Sequence, residues 1–372
     1  MSGAPHERFE HVLRALGDQV STPAPIVLID VVEENIRRMQ AFAEAHGKAV
    51  RPHVKTHKSV AIGRMQLDAG AIGLTVGTLS EAEIFADAGC DDLMLAYPIW
   101  PAGTKAERIR SLAVRTRLTV GVESAAAVDA LAAAMSDDAA SLGVVVEIDC
   151  GARRSGVRPE EAGALAARAR EAGLDPRGIF TYPGHGGSVG KPEGAAADQA
   201  VALRRAAASL REHGIEPSIV SAGSTPTASR STDDVITEIR PGEYVFNDHD
   251  GVRIGAAEPE QIGLFVATTV ISDQGHPHVI VDAGTKALAR EGNPDRGYGQ
   301  VPSYGAHLSL LNEYHGFVAL PEGGERPQVG TRIVVVPHHV CPVVNSFEEL
   351  LVTDRAGSRL ERWPVDAQGQ LN

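Results

Sequence analysis

Directly after a short apolar approach, Ala49-Val50, the chain places Arg51-Pro52-His53-Val54-Lys55-Thr56-His57-Lys58. Two lysines, two histidines and an arginine fall within eight residues where a buried strand should end in a polar turn. A solvated basic turn would look the same, so the weight rests on residues further along the chain. Later strand-like runs end in polar residues too. Arg153 and Arg154 follow VVVEID, and Tyr182 and His185 follow IF. Ser224 and Thr225 follow IVSAG, and Gly242-Glu243-Tyr244 closes ITEIRP.

A lysine amine can bond covalently to an aldehyde carbon. The Ser221–Thr227 loop, SAGSTPT, offers hydroxyls and backbone N–H groups at a late strand's end, a place where phosphate is commonly held. Together they suggest pyridoxal 5′-phosphate, with Lys55 forming the Schiff base and Arg154 facing the pyridine ring. An arginine there keeps the ring nitrogen unprotonated and makes the cofactor a milder electron sink. A second constellation lies far downstream: His339-Val340-Cys341 follows the strand-like IVVVP, with His338 beside it. On an extended segment both side chains of an i, i+2 pair point to one face, so the two could share a metal. An isolated His-x-Cys is usually a coincidence of sequence.

Positioning such groups needs a regular frame, and the chain has the grammar of one. PIVLID (25–30) feeds Asp30-Val-Val-Glu33, which reads as a capping box, with Ile36, Met39 and Ala43 then at helical spacing up to Gly47. Strand-like runs recur at 49–55, 73–78, 92–98, 117–122, 143–149, 179–184, 218–223 and 236–246, and Ala-rich helical patterns fill the gaps. Ser124 precedes AAAVDALAAAM as a cap, and Pro159-Glu160-Glu161 heads AGALAARAREAG. From residue 49 this predicts an α/β chain folded as a parallel (β/α)8 barrel; a doubly wound sheet lacks its Gly-x-Gly-x-x-Gly signature here. In such a barrel the site lies at the C-terminal strand ends, where the polar residues cluster. After about residue 255 alternating runs separated by Gly/Pro/Asp-rich turns predict a C-terminal antiparallel β domain.

The formal charge of −13, from 48 acidic against 35 basic residues, gives a nucleic-acid partner no support and leaves a small-molecule substrate. No segment reads as a signal peptide or a membrane span, so cytoplasmic residence is the default expectation. Cys90, Cys150 and Cys341 are spread too far apart for a disulfide framework.

R-P-H-V-K-T-H-K, D-C-G-A-R-R-S-G-V (149–157), S-A-G-S-T-P-T, E-I-R-P-G-E-Y-V-F-N-D (238–248), V-D-A-G-T-K-A-L (281–288) and P-H-H-V-C-P-V-V-N (337–345) together resemble the D-serine dehydratase and D-threonine aldolase family. These are fold-type III pyridoxal phosphate enzymes with an alanine-racemase-like barrel and a C-terminal β domain. The resemblance runs in order over nearly the whole chain. It implies a barrel over residues 33–254 and a β domain over 255–372, to which 1–32, including the surplus strand PIVLID, contribute. It makes Lys55 the Schiff-base lysine and Arg154 the pyridine-side arginine, with Ser224, Thr225, Gly242 and Tyr244 around the phosphate. Tyr182 and His185 match positions beside the cofactor. His53 and His57 flank the lysine, either to support the loop or contact solvent, or to transfer protons directly. His339 and Cys341 are implied ligands of a divalent metal, the second ligand being Cys in D-serine dehydratases and Asp in the better-known aldolases. A thiolate selects zinc, whereas carboxylate suits manganese or magnesium.

The activity so implied is cleavage of a β-hydroxy-D-amino acid by a homodimeric lyase whose partners include neither nucleic acid nor membrane. Elimination to a 2-oxo acid and ammonia leads, with retro-aldol cleavage to glycine and an aldehyde as the alternative. An amino-acid racemase and a non-catalytic cofactor carrier stand further off. One departure is Asn312-Glu313-Tyr314-His315-Gly316, where Tyr314 occupies the place of an acidic residue in the family.

Overall fold

In the computed structural model, which describes residues 7–135, 142–292 and 295–372, the strands sort into two sheets. The chain forms two compact units: Arg37–Lys55, Ile62–Gly242 and Gln370–Asn372 make one, and Met1–Ile36, Thr56–Ala61 and Glu243–Gly369 make the other.

Strand β1 (Ala24–Leu28) belongs to the second unit. The next eight make the first unit's sheet: β2 (Ala49–Val50), β3 (Leu74–Val76), β4 (Asp92–Leu95), β5 (Arg117–Val122), β6 (Gly143–Ile148), β7 (Asp175–Thr181), β8 (Ile219–Ala222) and β9 (Glu238–Ile239). All their pairings are parallel, in the order β2-β9-β8-β7-β6-β5-β4-β3. His53 bridges to Thr75, and Thr75 N donates to Pro52 O at 2.8 Å, which joins the two outer strands and closes the barrel. Strands buried on both faces carry near-continuous apolar runs: Val144–Val146 and Leu93–Leu95 have no exposed surface. The connecting helices start where their caps predict. Ser124 Oγ accepts from Ala127 N at 3.2 Å, and a Pro159–Glu161 turn leads into the helix Ala162–Glu171.

In the second unit, β10 (Leu264–Ser272), β11 (His278–Val281), β12 (Gly299–Val301), β13 (Ala306–Leu311), β14 (Gly316–Ala319) and β15 (Arg332–Pro337) pair in the closed ring β10-β11-β14-β13-β12-β15, all antiparallel. Val266, Val281, Leu308, Val318 and Val335 form part of its core. β1 extends this sheet between β10 and β16 (Glu349–Thr353), and β17 (Glu361–Pro364) lies at the edge. The amphipathic helix Glu7–Leu16 buries Phe9, Val12, Leu13 and Leu16 in a cluster with Ile26, Phe265 and Val334.

Three local expectations differ from the structure. The 236–246 run is not one strand: β9 ends at Ile239, because Pro241 has no N–H for a ladder bond, and a 3₁₀ turn follows at Glu243–Val245. The helix expected behind an Asp30 cap starts at Ile29 instead, and the Asp30 carboxylate pairs with Arg355 at 3.3 Å. The β unit also holds one parallel pairing, β1 with β16. Among the described residues no helix is long and apolar enough to cross a membrane.

Candidate cofactor and metal centre

Lys55 leaves β2 on a 3₁₀ turn, Val54–Thr56, with its side chain exposed. Its Nζ lies 5.6 Å from the centroid of the Tyr182 ring, just past β7, and the Arg154 guanidinium carbon lies 4.7 Å from the same ring. A densely bonded loop presents Arg154. Asp149 Oδ1 accepts from Gly151 N (2.9 Å) and Arg153 N (3.0 Å), Gly156 N donates to Glu123 Oε2 (2.6 Å), and Val157 bridges to Ile148. Ser155 Oγ donates to Glu147 Oε1 at 2.8 Å. Burial pushes the Glu147 carboxyl up, partly opposed by that bond, and among the described residues its Oε2 has no hydrogen-bond partner.

His185 Nε2 lies 3.2 Å from Asp198 Oδ2, while its Nδ1 is buried with no partner among the described residues. After β8 the chain turns through Gly223 at φ +82°, a value that favours glycine. Ser224 N then donates to Thr227 Oγ1 at 3.0 Å, opening the short helix Thr225–Ala228. Ser224, Thr225, Gly242 and Tyr244 are buried at the ends of the adjacent strands β8 and β9. Pyridoxal 5′-phosphate fits this donor set: an exposed amine, a guanidinium over the same aromatic ring, and a hydroxyl-bearing turn at a late strand's end. His57 is placed differently from Lys55. It is fully buried, and its Nδ1 accepts from Ser59 N at 3.1 Å; His53 Nδ1 accepts from Lys55 N at 3.3 Å.

The second constellation lies in the β unit. One ligand atom each from Glu243, His339 and Cys341 lie within 4.8 Å of one another. The histidine and cysteine do not share an extended face. His339 is the last extended residue (φ −133°, ψ 123°) before the helix Val340–Val344, and Cys341 sits in that helix's first turn, so a strand–helix junction brings them together. Glu243 arrives on the turn after β9, its Oε1 3.6 Å from His339 Nδ1. Buried Asp248 accepts from Val340 N (3.0 Å) through Oδ2, which lies 3.3 Å from His339 Nδ1, and from Gly251 N (2.7 Å) through Oδ1. Burial lowers the His339 pKa, but Cys341, Asp248 and Glu243 outweigh it and raise it to about 12. His338 is outside the cluster. Stacked on His249 at 5.0 Å, it is lowered to about 4 by burial and by that neighbour. Sulfur, nitrogen and carboxylate oxygen around one point fit a divalent cation with room for a further ligand. Sequence reasoning does not find Glu243 and Asp248 as metal-centre residues, although both lie in the run E-I-R-P-G-E-Y-V-F-N-D. Tyr314 is exposed, with Lys286 Nζ 5.8 Å from its ring centroid.

Comparison with known proteins agrees with both units. The alanine racemase N-terminal domain family matches residues 27–250, and the putative serine dehydratase domain family matches residues 263–353. The chain is 36% identical to the D-threo-3-hydroxyaspartate dehydratase of Delftia sp. (strain HT23), over 92% of this chain and 98% of that one. It is 33% identical to the D-threonine aldolase of Arthrobacter sp, over 94% and 93%. The solved Delftia dehydratase superposes with a TM-score of 0.86 at 33% identity, covering 94% of this chain and 98% of that one. A cysteine-to-alanine mutant of the same dehydratase, in the metal-free form, also gives 0.86, at 32% identity over 94% and 98%. With a lysine, an arginine and a hydroxyl-bearing turn at the barrel strand ends and both domains matched, the chain belongs to the D-serine dehydratase and D-threonine aldolase family of fold-type III, pyridoxal 5′-phosphate-dependent lyases.

Proposed function

We propose that this lyase acts on small β-hydroxy-D-amino acids and removes the elements of water across Cα–Cβ, giving a 2-oxo acid and ammonia. The observation that carries this reading is Cys341 in one ligand cluster with His339 and Glu243. In the family a cysteine at this position goes with dehydration and an aspartate with aldol cleavage, and thiolate with imidazole selects zinc over manganese or magnesium. A D-threo-3-hydroxyaspartate dehydratase among the relatives, whose cysteine-to-alanine mutant has been solved in the metal-free form, supports the same reading.

When bound, the cofactor supplies a sink for the electron pair left at Cα, and the metal draws electron density from the β-hydroxyl. Lys55 would hold the cofactor, and its amine would be the base that takes the α-proton. Arg154 holds a fixed positive charge against the cofactor ring, and Tyr182 packs beside both cations. Ser224, Thr225, Gly242 and Tyr244 hold the phosphate. His339, Cys341 and Glu243 hold the metal, with Asp248 orienting the imidazole. His57, buried and bonded to Ser59 N, supports the Lys55 turn, while His185, fixed by Asp198, lines the cofactor side. Loss of the α-proton and of hydroxide leaves an enamine; its hydrolysis takes back the water and releases ammonia.

Retro-aldol cleavage is the second reading, favoured by the 33% identity to a D-threonine aldolase. It needs a base for the β-hydroxyl proton instead and gives glycine and an aldehyde. A racemase or a non-catalytic carrier would have no use for the metal cluster. Incubation with D-serine, D-threonine and D-threo-3-hydroxyaspartate, with product identification, separates these. A 2-oxo acid with equimolar ammonia is expected, and glycine with an aldehyde as the main products would sink the elimination reading. The same proposal includes a homodimer, which light scattering on the active enzyme checks.

A further inference from the structure

Thr56 follows Lys55 in the chain, is fully buried, and has its Oγ1 3.1 Å from Cys341 Sγ. A metal-bound thiolate has no proton to give, so in the loaded protein the hydroxyl must be the donor. We propose that Thr56 is a positioning residue for the metal centre: its O–H fixes the Cys341 sulfur in the ligand set and, one peptide bond from Lys55, ties the order of the Lys55 turn to metal occupancy. The proposal rests on the metal-dependent function and adds a coupling that the function alone does not contain.

The rest of the segment is already fastened. Lys58, at φ +51°, exchanges bonds with Ala367 through its backbone oxygen (3.0 Å) and Nζ (3.2 Å), and Val60 N donates to Asp366 Oδ2 at 2.7 Å. His57 is closed on Ser59 N. Thr56 therefore joins this stretch to a metal ligand directly. Its β-branched side chain has little χ1 freedom, so a bond at Oγ1 also constrains its own backbone. An O–H donated to a thiolate is a charge-assisted bond and holds the sulfur's orientation toward the other two ligands. Outer-shell partners of this kind typically govern metal affinity by about 10–100-fold.

The test uses the cofactor-loaded protein. Zinc affinity is measured by competition with a chelator, and the cofactor absorption band is followed while zinc is removed and returned. Thr56→Val, of similar shape without the hydroxyl, is expected to bind zinc about 10–100-fold more weakly, and its band no longer responds to zinc, whereas the unaltered protein's band does. Thr56→Ser, which keeps the hydroxyl, stays close to the unaltered protein in both readouts. Should the valine variant not fold, Thr56→Ala gives the same comparison. Unchanged zinc affinity in the valine or alanine variant overturns the positioning role, as does an equal loss in the serine variant. A band indifferent to zinc in the unaltered protein overturns the coupling. An unaltered protein that binds no zinc overturns this proposal and the metal-dependent function together, which separates that failure from the others.

Discussion

Asp248 divides one buried carboxylate between the first turn of the helix His249–Arg253, the Val340 N–H and the His339 ring. Asparagine keeps one acceptor oxygen, enough for the Gly251 N–H, but sets an NH2 group against the Val340 N–H, so Asp248→Asn should cost about 1–3 kcal/mol of stability and weaken zinc binding by about 10–100-fold through loss of the charge behind His339; metal titration beside a thermal melt checks both halves. Cys341→Ala is expected to abolish turnover and keep a yellow cofactor band, in the form the unaltered protein shows without zinc, because Lys55 and Arg154 are untouched; persisting turnover would remove the metal from the proposal. Glu147 gives a pH prediction. Burial raises its carboxyl above 4.5, so its contribution is intact below 4.5 and is lost as pH rises through the raised folded value, where the buried group must ionise. The slope is at most about 1.4 kcal/mol per pH unit. Glu147→Gln removes that term and can still accept from Ser155, so its stability relative to the unaltered protein should increase from pH 4.5 to pH 8 in urea titrations. A constant difference across that range would show that Glu147 does not titrate there.

Between β6 and β7 the register slips: Val144 pairs with Pro176 and Val145 with Gly178, leaving Arg177 as the extra residue of a bulge. Gly178 stands at φ +152°, and a Cβ there would run into the Ile219 carbonyl of β8. Gly178→Ala should therefore cost roughly 3 kcal/mol and, by disturbing the strand that delivers Tyr182, weaken cofactor retention; urea unfolding and the cofactor band measure the two effects. The run IFTYPG begins only after the bulge residues Arg177 and Gly178, and the clash that demands glycine lies on a neighbouring strand, so neither shows in it. The legible part of the sequence is local. LTVGV and GVVVEI are apolar on both faces, Ser124 is a cap without tertiary help, and Lys55, Arg154, Tyr182 and Ser224 stand out as polar residues ending apolar runs. β12, β13 and β17 escape such reading because GQV and ERWP are short and AHLSLL is cut by a register shift. Glu243 and Asp248 give no ligand signal because their partners lie about a hundred residues further on and only the fold brings them to His339.

Across the whole molecule the chain passes between the two units five times, at 36/37, 55/56, 61/62, 242/243 and 369/370, so no single cut separates them. β1 is the strand on which this matters most. All five of its residues are buried, and it pairs antiparallel with β10 on one side and parallel with β16 on the other. A fragment beginning at Glu243 would leave both of those edges unpaired and open to association with other chains. It would also leave vacant the places of Ile26, Val27 and Leu28, each worth roughly 1.5–3 kcal/mol of burial, along with the Phe9–Leu16 face that packs in the same cluster. Residues 243–372 alone should therefore be insoluble or lack near-UV circular dichroism, and fusing residues 7–36 to them through a Gly/Ser linker should restore a soluble, cooperatively melting domain. A sharp melt in the unfused fragment would show that β1 is dispensable. The fused domain carries Glu243, His339 and Cys341 but not Thr56, so its zinc affinity should resemble that of Thr56→Val rather than that of the whole chain.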